Sequence, residues 1–559
     1  MLSLDHISYQ TAAPSNDAQP ILHSVSATFN IPSFSAILGP SGCGKSTLLK
    51  IIAGILEPSQ GNIFWNGRNL VTEGDLLPGQ IGYVPQFSIA HENLTVAENI
   101  QIACQLRMNR ISSEELKQKV KNLLNDVGLQ EVADRPTRLI SGGQKRRLSL
   151  AMELASAPTL LLCDEVTSGL DPQSETEILH LLHQLAQQKK CLILNVTHSL
   201  NHLELYDSIT VLYQGHLAYH GPSAYLLTHF GIHHPENLFP TLLSQVPENW
   251  SSHHWTNLET ESHISEENRE EIPTIASPLR QFFILLKRRL LLFYRDRSQF
   301  ALHLLLLFLF PSLVVLFAYR GLPQIQNLNM GQDINLIQQL KETVTFTAQT
   351  SKIGSLVSGL ILFQVILLTL MASNNSAREI VAERLLLEKE KLAGLNISSY
   401  LASKILFLSF LVIAQSIWMT LFVKTICRFP GSVLPQIILL TFVNAAVTAT
   451  CLAISSWSRT TEKASLISLY IVGFQLPLSG AVLALPSWLT HFVQPFIATY
   501  WSWSGMLQTM RAERIYDLVI AISETALSPL LLCYWVLGAH TLLAIFLAYL
   551  GCWRSAWDN

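Results

Sequence analysis

Between residues 299 and 551 the chain carries apolar runs of about 20 residues, the length that α-helices need to cross the hydrocarbon layer of a bilayer. This feature constrains the fold more than any other. Inside lipid every backbone N–H and C=O must be satisfied within the protein, so these runs must be helices. Six spans are drawn, at 299–319, 353–373, 403–423, 433–455, 464–484 and 529–550. The stretch 485–528, with Trp488, Trp501 and Trp503, is apolar enough to dip into the membrane without crossing it.

The first half has a different character. Residues 1–225 alternate short apolar runs with helical patterns, which predicts an α/β domain. The runs FSAILG, TLLLCDE and CLILNVTH read as buried parallel strands. Residues 226–279 read as a polar linker, with an acidic patch at Glu266, Glu267, Glu270 and Glu271. Residues 280–297 (RQFFILLKRRLLLFYRDR) combine an apolar face with six basic groups, as an amphipathic connecting helix on the membrane surface would. The remainder, 298–559, is the membrane domain. The first ten residues lack a basic region followed by an apolar core, so the first half is expected to stay cytosolic. The larger share of Lys and Arg between spans falls on the same side, which predicts cytosolic N- and C-termini. The net charge of −3 gives no support for a nucleic-acid partner, and the eight cysteines show no metal-binding or disulfide spacing.

The α/β half carries the chemistry. Residues 39–47, GPSGCGKST, fit G-x-x-x-x-G-K-S between a strand and a helix. Gly39, Gly42 and Gly44 let backbone N–H groups turn toward phosphates, with Pro40, Ser41, Cys43 and Thr47 completing the loop. Lys45 reaches the β- and γ-oxygens, and Ser46 offers a hydroxyl to Mg²⁺. In LLLCDE an apolar strand ends at Asp164, a magnesium ligand, followed by Glu165, a general base for water. CLILNVTH ends at His198, a γ-phosphate contact by the same logic. Gln86 in GYVPQ is placed to sense magnesium and a neighbouring domain, and Tyr9 to stack on adenine. Ser141, Gly142, Gly143 and Gln144 open a helix and form a second anion cradle. Since the first loop already holds a phosphate, the second would serve a nucleotide bound elsewhere.

These motifs, in this order, resemble the nucleotide-binding domain of ATP-binding cassette (ABC) transporters. The resemblance makes Tyr9 the adenine-stacking aromatic, GPSGCGKST the Walker A loop and Gln86 the Q-loop. ISGGQ becomes the signature, LLLCDE the Walker B strand, Ser168 to Asp171 the D-loop and His198 the switch histidine. A cassette preceding a membrane domain is similar to the White-type G subfamily and its bacterial type-2 exporter relatives, as are the segments 215–222 and 378–404. The departures are Ile140 and Val166, where the family more often has Leu and Pro, and the lack of cysteine in the last outer loop. The resemblance implies a P-loop NTPase fold followed by an all-α membrane domain, and ATP and Mg²⁺ as ligands. It implies ATP hydrolysis driving export of a hydrophobic, lipidic or amphipathic substrate. It implies a half-transporter that pairs with a second copy, or with a different half, in a plasma or bacterial inner membrane among lipids and without a substrate-binding protein. Residues 280–294 and about 381–392 would carry force between domains. The alternative is a membrane ATPase that transmits force to, or regulates, a partner without moving a substrate.

Overall fold

The computed structural model describes the chain except residues 11–19, 75, 88, 110, 245, 248–274, 320–335, 482–485, 514–515, 518, 521–524 and 555–559; for 336–353 and 487 it describes the backbone alone. Most of the expected linker, its acidic patch included, lies outside the described residues. The chain divides into two compact units. One holds Met1–Ile284 together with Leu385–Asn396; the other holds Leu285–Arg384 and Ile397–Ala556.

The first unit is built on a six-stranded sheet. In spatial order its strands are Ile81–Val84, Leu160–Asp164, Leu192–Thr197, Ser33–Leu38, Ser208–Tyr213 and His216–Pro222. The first five run parallel, and the last is antiparallel to its neighbour. The three runs read as strands in the sequence are the three central ones, and nearly every residue in them is buried. Helices cover both faces of a parallel sheet, so its strands need apolar side chains on both sides. A second, antiparallel sheet holds Leu2–Gln10, Pro20–Phe29, Gln60–Trp65 and Arg68–Asn69. Its inner face packs with Ile37, Leu48 and Leu194 in one core. The helices Val96–Arg107, Ser113–Asp126 and Gly142–Leu154 close a separate core with Phe34, Val84 and Leu161.

The second unit is helical. Among the described residues five helices are long and apolar enough to cross a membrane: Arg297–Ala318, the part of Leu336–Ser376 from Gly354 on, Ile397–Cys427, Val433–Trp457 and Leu530–Trp553. The span expected at 464–484 is shorter than its composition suggested. Its helix, Thr461–Gln475, has 15 residues, about 22 Å at 1.5 Å per residue against a layer of about 30 Å. Pro477 then opens a single 3₁₀ turn, and Gly480 follows in the left-handed region at φ 73°. The broken end is not left unsatisfied. Thr499 donates its hydroxyl to the Gln475 carbonyl (2.7 Å) and its N–H to Gln475 Oε1 (3.1 Å). Irregular backbone at membrane depth is tolerated where protein surrounds it. Here Thr499 belongs to Ala498–Gln508, a helix of the 485–528 stretch in which Trp503 is fully buried. Asn444, completely buried, donates to the Val412 carbonyl and to Ser416 (both 3.3 Å), so it ties helices together within the unit.

Candidate active site

Four adjacent strands of the parallel sheet end on one side, and each delivers a predicted group there. The loop after Ser33–Leu38 is the phosphate loop. Two of its glycines are required by close approach. A Cβ on Gly39 would lie 2.3 Å from the Leu212 carbonyl oxygen. Gly44 has φ 99°, and a Cβ on it would meet Leu22 at 2.7 Å. Lys45 is buried and donates Nζ to the Gly39 and Pro40 carbonyls, both at 2.8 Å, which folds the loop around its ammonium group. Cys43 is buried in the same loop, and burial lifts its thiol above the usual range against the opposing pull of Lys45. Pro40, Ser41, Gly42 and Thr47 complete the turn and the first residues of the helix Lys45–Ile52.

Asp164 ends its strand with one oxygen on each of two hydroxyls. Ser46 donates to Oδ1 (2.8 Å) and Tyr83 donates to Oδ2 (3.2 Å). Burial raises the Asp164 carboxyl, and these two hydrogen bonds oppose the rise. Tyr83 was not singled out in the sequence, although the GYVPQ run contains it three residues before Gln86. Glu165 follows at φ 48°, a left-handed conformation uncommon for a residue with a side chain. Its N–H bonds to the Val196 carbonyl (3.0 Å) on the next strand. Gln86 Nε2 donates to Glu165 Oε2 at 3.0 Å, and His198 Nδ1 lies 3.9 Å from Oε1. Ser46, Asp164, Glu165, Gln86 and His198 therefore form one connected group. Its hydroxyl, carboxylate and amide oxygens are a donor set that suits a hard divalent cation. Tyr9 is half-buried and pairs in register with Leu22, the residue that backs Gly44.

Ser141–Gln144 belongs to a different group. Ser141 caps the helix Gly142–Leu154 by accepting from the Gln144 N–H (3.3 Å), while Gln144 Oε1 accepts from the Ser141 N–H (3.0 Å). The side chains that approach Gly142 and Gly143 are Leu170 and Ser174. Ser174 in turn donates its N–H to Asp171 (2.9 Å), the exposed cap of the helix Pro172–Lys189. That backbone hydrogen bond holds the Asp171 carboxyl below its usual range. Ser141 and Gly142 are exposed. Among the described residues, Ser141–Gln144 shares no hydrogen bond with Ser46, Asp164, Glu165, Gln86 or His198.

Comparison with known proteins agrees with both units. A family model described as ABC transporter matches residues 22–168, and one described as ABC-2 type transporter matches residues 280–510. An ABC transporter ATP-binding/permease protein of Mycobacterium tuberculosis is 29% identical over 84% of this chain and 54% of its own length. The broad substrate specificity ATP-binding cassette transporter ABCG2 of Bos taurus is 35% identical over 36% of this chain and 32% of its own. The energy-coupling factor transporter ATP-binding protein EcfA1 of Mycoplasma mobile is 33% identical over 39% of this chain and 78% of its own. The chain thus spans about half the length of the mycobacterial relative and about a third of ABCG2.

Proposed function

Since the chain belongs to the ATP-binding cassette transporter family, with an ABC-2 type membrane domain, we propose that it is a half-transporter whose paired copies hydrolyse ATP to export a hydrophobic, lipidic or amphipathic substrate. The observation that carries this reading is the separation of the two arrays. Ser141 and Gly142 are exposed and the SGGQ turn neighbours Leu170 and Ser174, while Ser46 bonds to Asp164, Gln86 bonds to the adjacent Glu165, and His198 lies 3.9 Å from Glu165. A second copy, related by a two-fold axis, would bring the free array of each chain over the phosphate loop of the other.

In each composite site Lys45 and the loop N–H groups bind the β- and γ-phosphates, and Tyr9 stacks on the base. Ser46, Asp164 and Gln86 would hold Mg²⁺, which supplies charge neutralisation at those phosphates. Glu165 accepts a proton from the attacking water, with Gln86 and His198 fixing its two oxygens. Ser141 and Gly143 of the other copy cover the γ-phosphate, so binding favours the closed pair. The N- and C-termini lie in the cytosol in this reading, and the membrane is the plasma or bacterial inner membrane.

A complementation test checks the sharing. Lys45→Ala and Gly143→Asp chains, each inactive alone, are co-expressed in equal amounts. Half of the pairs are then mixed, and each mixed pair keeps one intact site of two, so about a quarter of the wild-type ATPase should return. Activity no higher than in either parent would mean that each chain works with its own two arrays.

A further inference from the structure

The strand Ile81–Val84 borders Leu160–Asp164 at one edge of the parallel sheet, with Tyr83 in register with Leu162. This strand and the turn after it send two side chains to two neighbouring carboxylates. Tyr83 donates to Asp164 Oδ2 (3.2 Å), and Gln86, three residues on, donates to Glu165 Oε2 (3.0 Å). The other Asp164 oxygen, Oδ1, accepts from Ser46 (2.8 Å). Tyr83 and Asp164 are 3 and 7% exposed, so water has little access to the pair. The Tyr83 ring belongs to the same core as Ile37, Leu49 and Leu194, which fixes where its hydroxyl lies.

A hydroxyl has one proton to give and two lone pairs to receive with. The Ser46 proton is committed to Oδ1, so its lone pairs are what Ser46 can offer a cation. That commitment holds only while the carboxylate keeps its plane. The torsion that turns an Asp carboxyl is broad and roughly two-fold. One hydrogen bond at Oδ1 leaves the group free to rock about it. A second at Oδ2, from a different strand, removes that freedom. Without it, Oδ2 would be a buried charged oxygen deprived of a donor, and the carboxylate would turn toward any other it could reach.

We propose that Tyr83 is a positioning residue: its hydroxyl locks the Asp164 carboxylate in the plane that makes Ser46 and Asp164 a ready pair of oxygen ligands for the nucleotide's magnesium. The inference rests on the reading above, in which Ser46 and Asp164 hold that ion. Alignment of this kind acts on metal affinity, and groups that hydrogen-bond a metal ligand typically change it by about 10–100-fold. Binding of nucleotide without metal should not depend on Tyr83, since the phosphate loop acts through Lys45 and its own N–H groups.

The test is nucleotide binding to the full chain in lipid nanodiscs, with an ATP analogue bearing a non-hydrolysable β–γ bridge, in excess Mg²⁺ and in EDTA. The ratio of the two dissociation constants is the gain from the metal. Wild type should bind more tightly with Mg²⁺. Tyr83→Phe removes one oxygen and keeps the ring in its core. It should bind as wild type does in EDTA and lose about tenfold or more of the gain. Asp164→Asn should lose the gain too. Ile81→Val trims the same core at the other end of the strand, where Ile81 pairs with Leu160, and should keep the full gain. A full gain in Tyr83→Phe, beside its loss in Asp164→Asn, overturns the proposal. So does a Tyr83→Phe chain weakened equally in both media, or an Ile81→Val chain that loses the gain, since either result reports general loosening. A wild type without gain, or an Asp164→Asn chain that keeps it, would instead remove Asp164 as a magnesium ligand, and this inference with it.

Discussion

Glu165 combines the role of proposed base with a backbone that ordinary residues avoid, and the two can be separated. At φ 48° its Cβ crowds the neighbouring carbonyl oxygen, a conformation that costs a residue with a side chain about 1–2 kcal/mol. Three interactions hold it there: its N–H on Val196, its carbonyl accepting from the Ser168 N–H at 3.0 Å, and its carboxylate accepting from Gln86. Glu165→Ala and Glu165→Gly both remove the carboxylate and its hydrogen bond, so their difference isolates the backbone. At an ordinary position Gly is the worse of the two by roughly 0.5–1 kcal/mol, because it loses more freedom on folding. At φ 48° the order should reverse, with Gly more stable by about 1 kcal/mol. For a unit of this size that is about 2–4 °C in melting temperature. Both variants should lose ATPase by about 10²–10⁴-fold if Glu165 is the base. The assay is thermal unfolding of the full chain beside steady-state ATPase. An alanine variant as stable as the glycine variant, or more so, would refute the claim of strain. ATPase within tenfold of wild type in either variant would refute the base.

Two further outcomes follow from close contacts elsewhere. A Cβ on Gly551 would lie 2.2 Å from Ser456 Oγ and 2.8 Å from its Cβ. Gly551→Ala should therefore lower the melting temperature in detergent, by an overpacking cost of about 1–3 kcal/mol, and adding Ser456→Gly should recover part of it; no recovery would locate the loss elsewhere. Burial would raise the Glu153 carboxyl, but Arg107 and Lys389, 2.8 and 2.9 Å away, hold its folded-state pKa below the usual range, so the stability it contributes is present above its unfolded value and is lost as pH falls through the folded one. The stability gap between wild type and Glu153→Gln should hold from pH 7 to about 5 and narrow below about pH 4; a gap that widens on acidification would contradict the assignment.

The strand-end cluster was legible because its groups follow apolar runs: Asp164 after LLLC, His198 after CLILNVT, Lys45 in the loop after FSAIL. A strand buried on both faces has nowhere to put a charge except at its end, so position along the sequence already gave position in space. Hydropathy did not have that power in the span after residue 461. Composition there resembles the neighbouring spans, yet the helix ends at Gln475, two residues before Pro477, with Thr499 from another helix taking up the broken end. Nor did Glu153 declare itself. In AMELA it reads as a solvated helix residue, and its partners Arg107 and Lys389 lie in separate helices that periodicity cannot bring together.

The same helix also explains why its first residues are SGGQ rather than any cap. An α-helix begins with four N–H groups that lack helical acceptors. Ser141 and Gln144 form a closed pair, in which the Gln144 N–H meets the Ser141 hydroxyl and Gln144 Oε1 meets the Ser141 N–H. That pairing fixes the chain entering the helix and leaves the N–H groups of Gly142 and Gly143 to something outside it. With glycine at both positions these residues place no side chain of their own over those groups, though Leu170 and Ser174 approach them, and the positive end of the 13-residue helix dipole lies behind them. The residues that rigidify the cap are thus distinct from those that present donors. Under the proposed pairing, a phosphate held by the other copy would meet a cap already fixed by the Ser141–Gln144 pair.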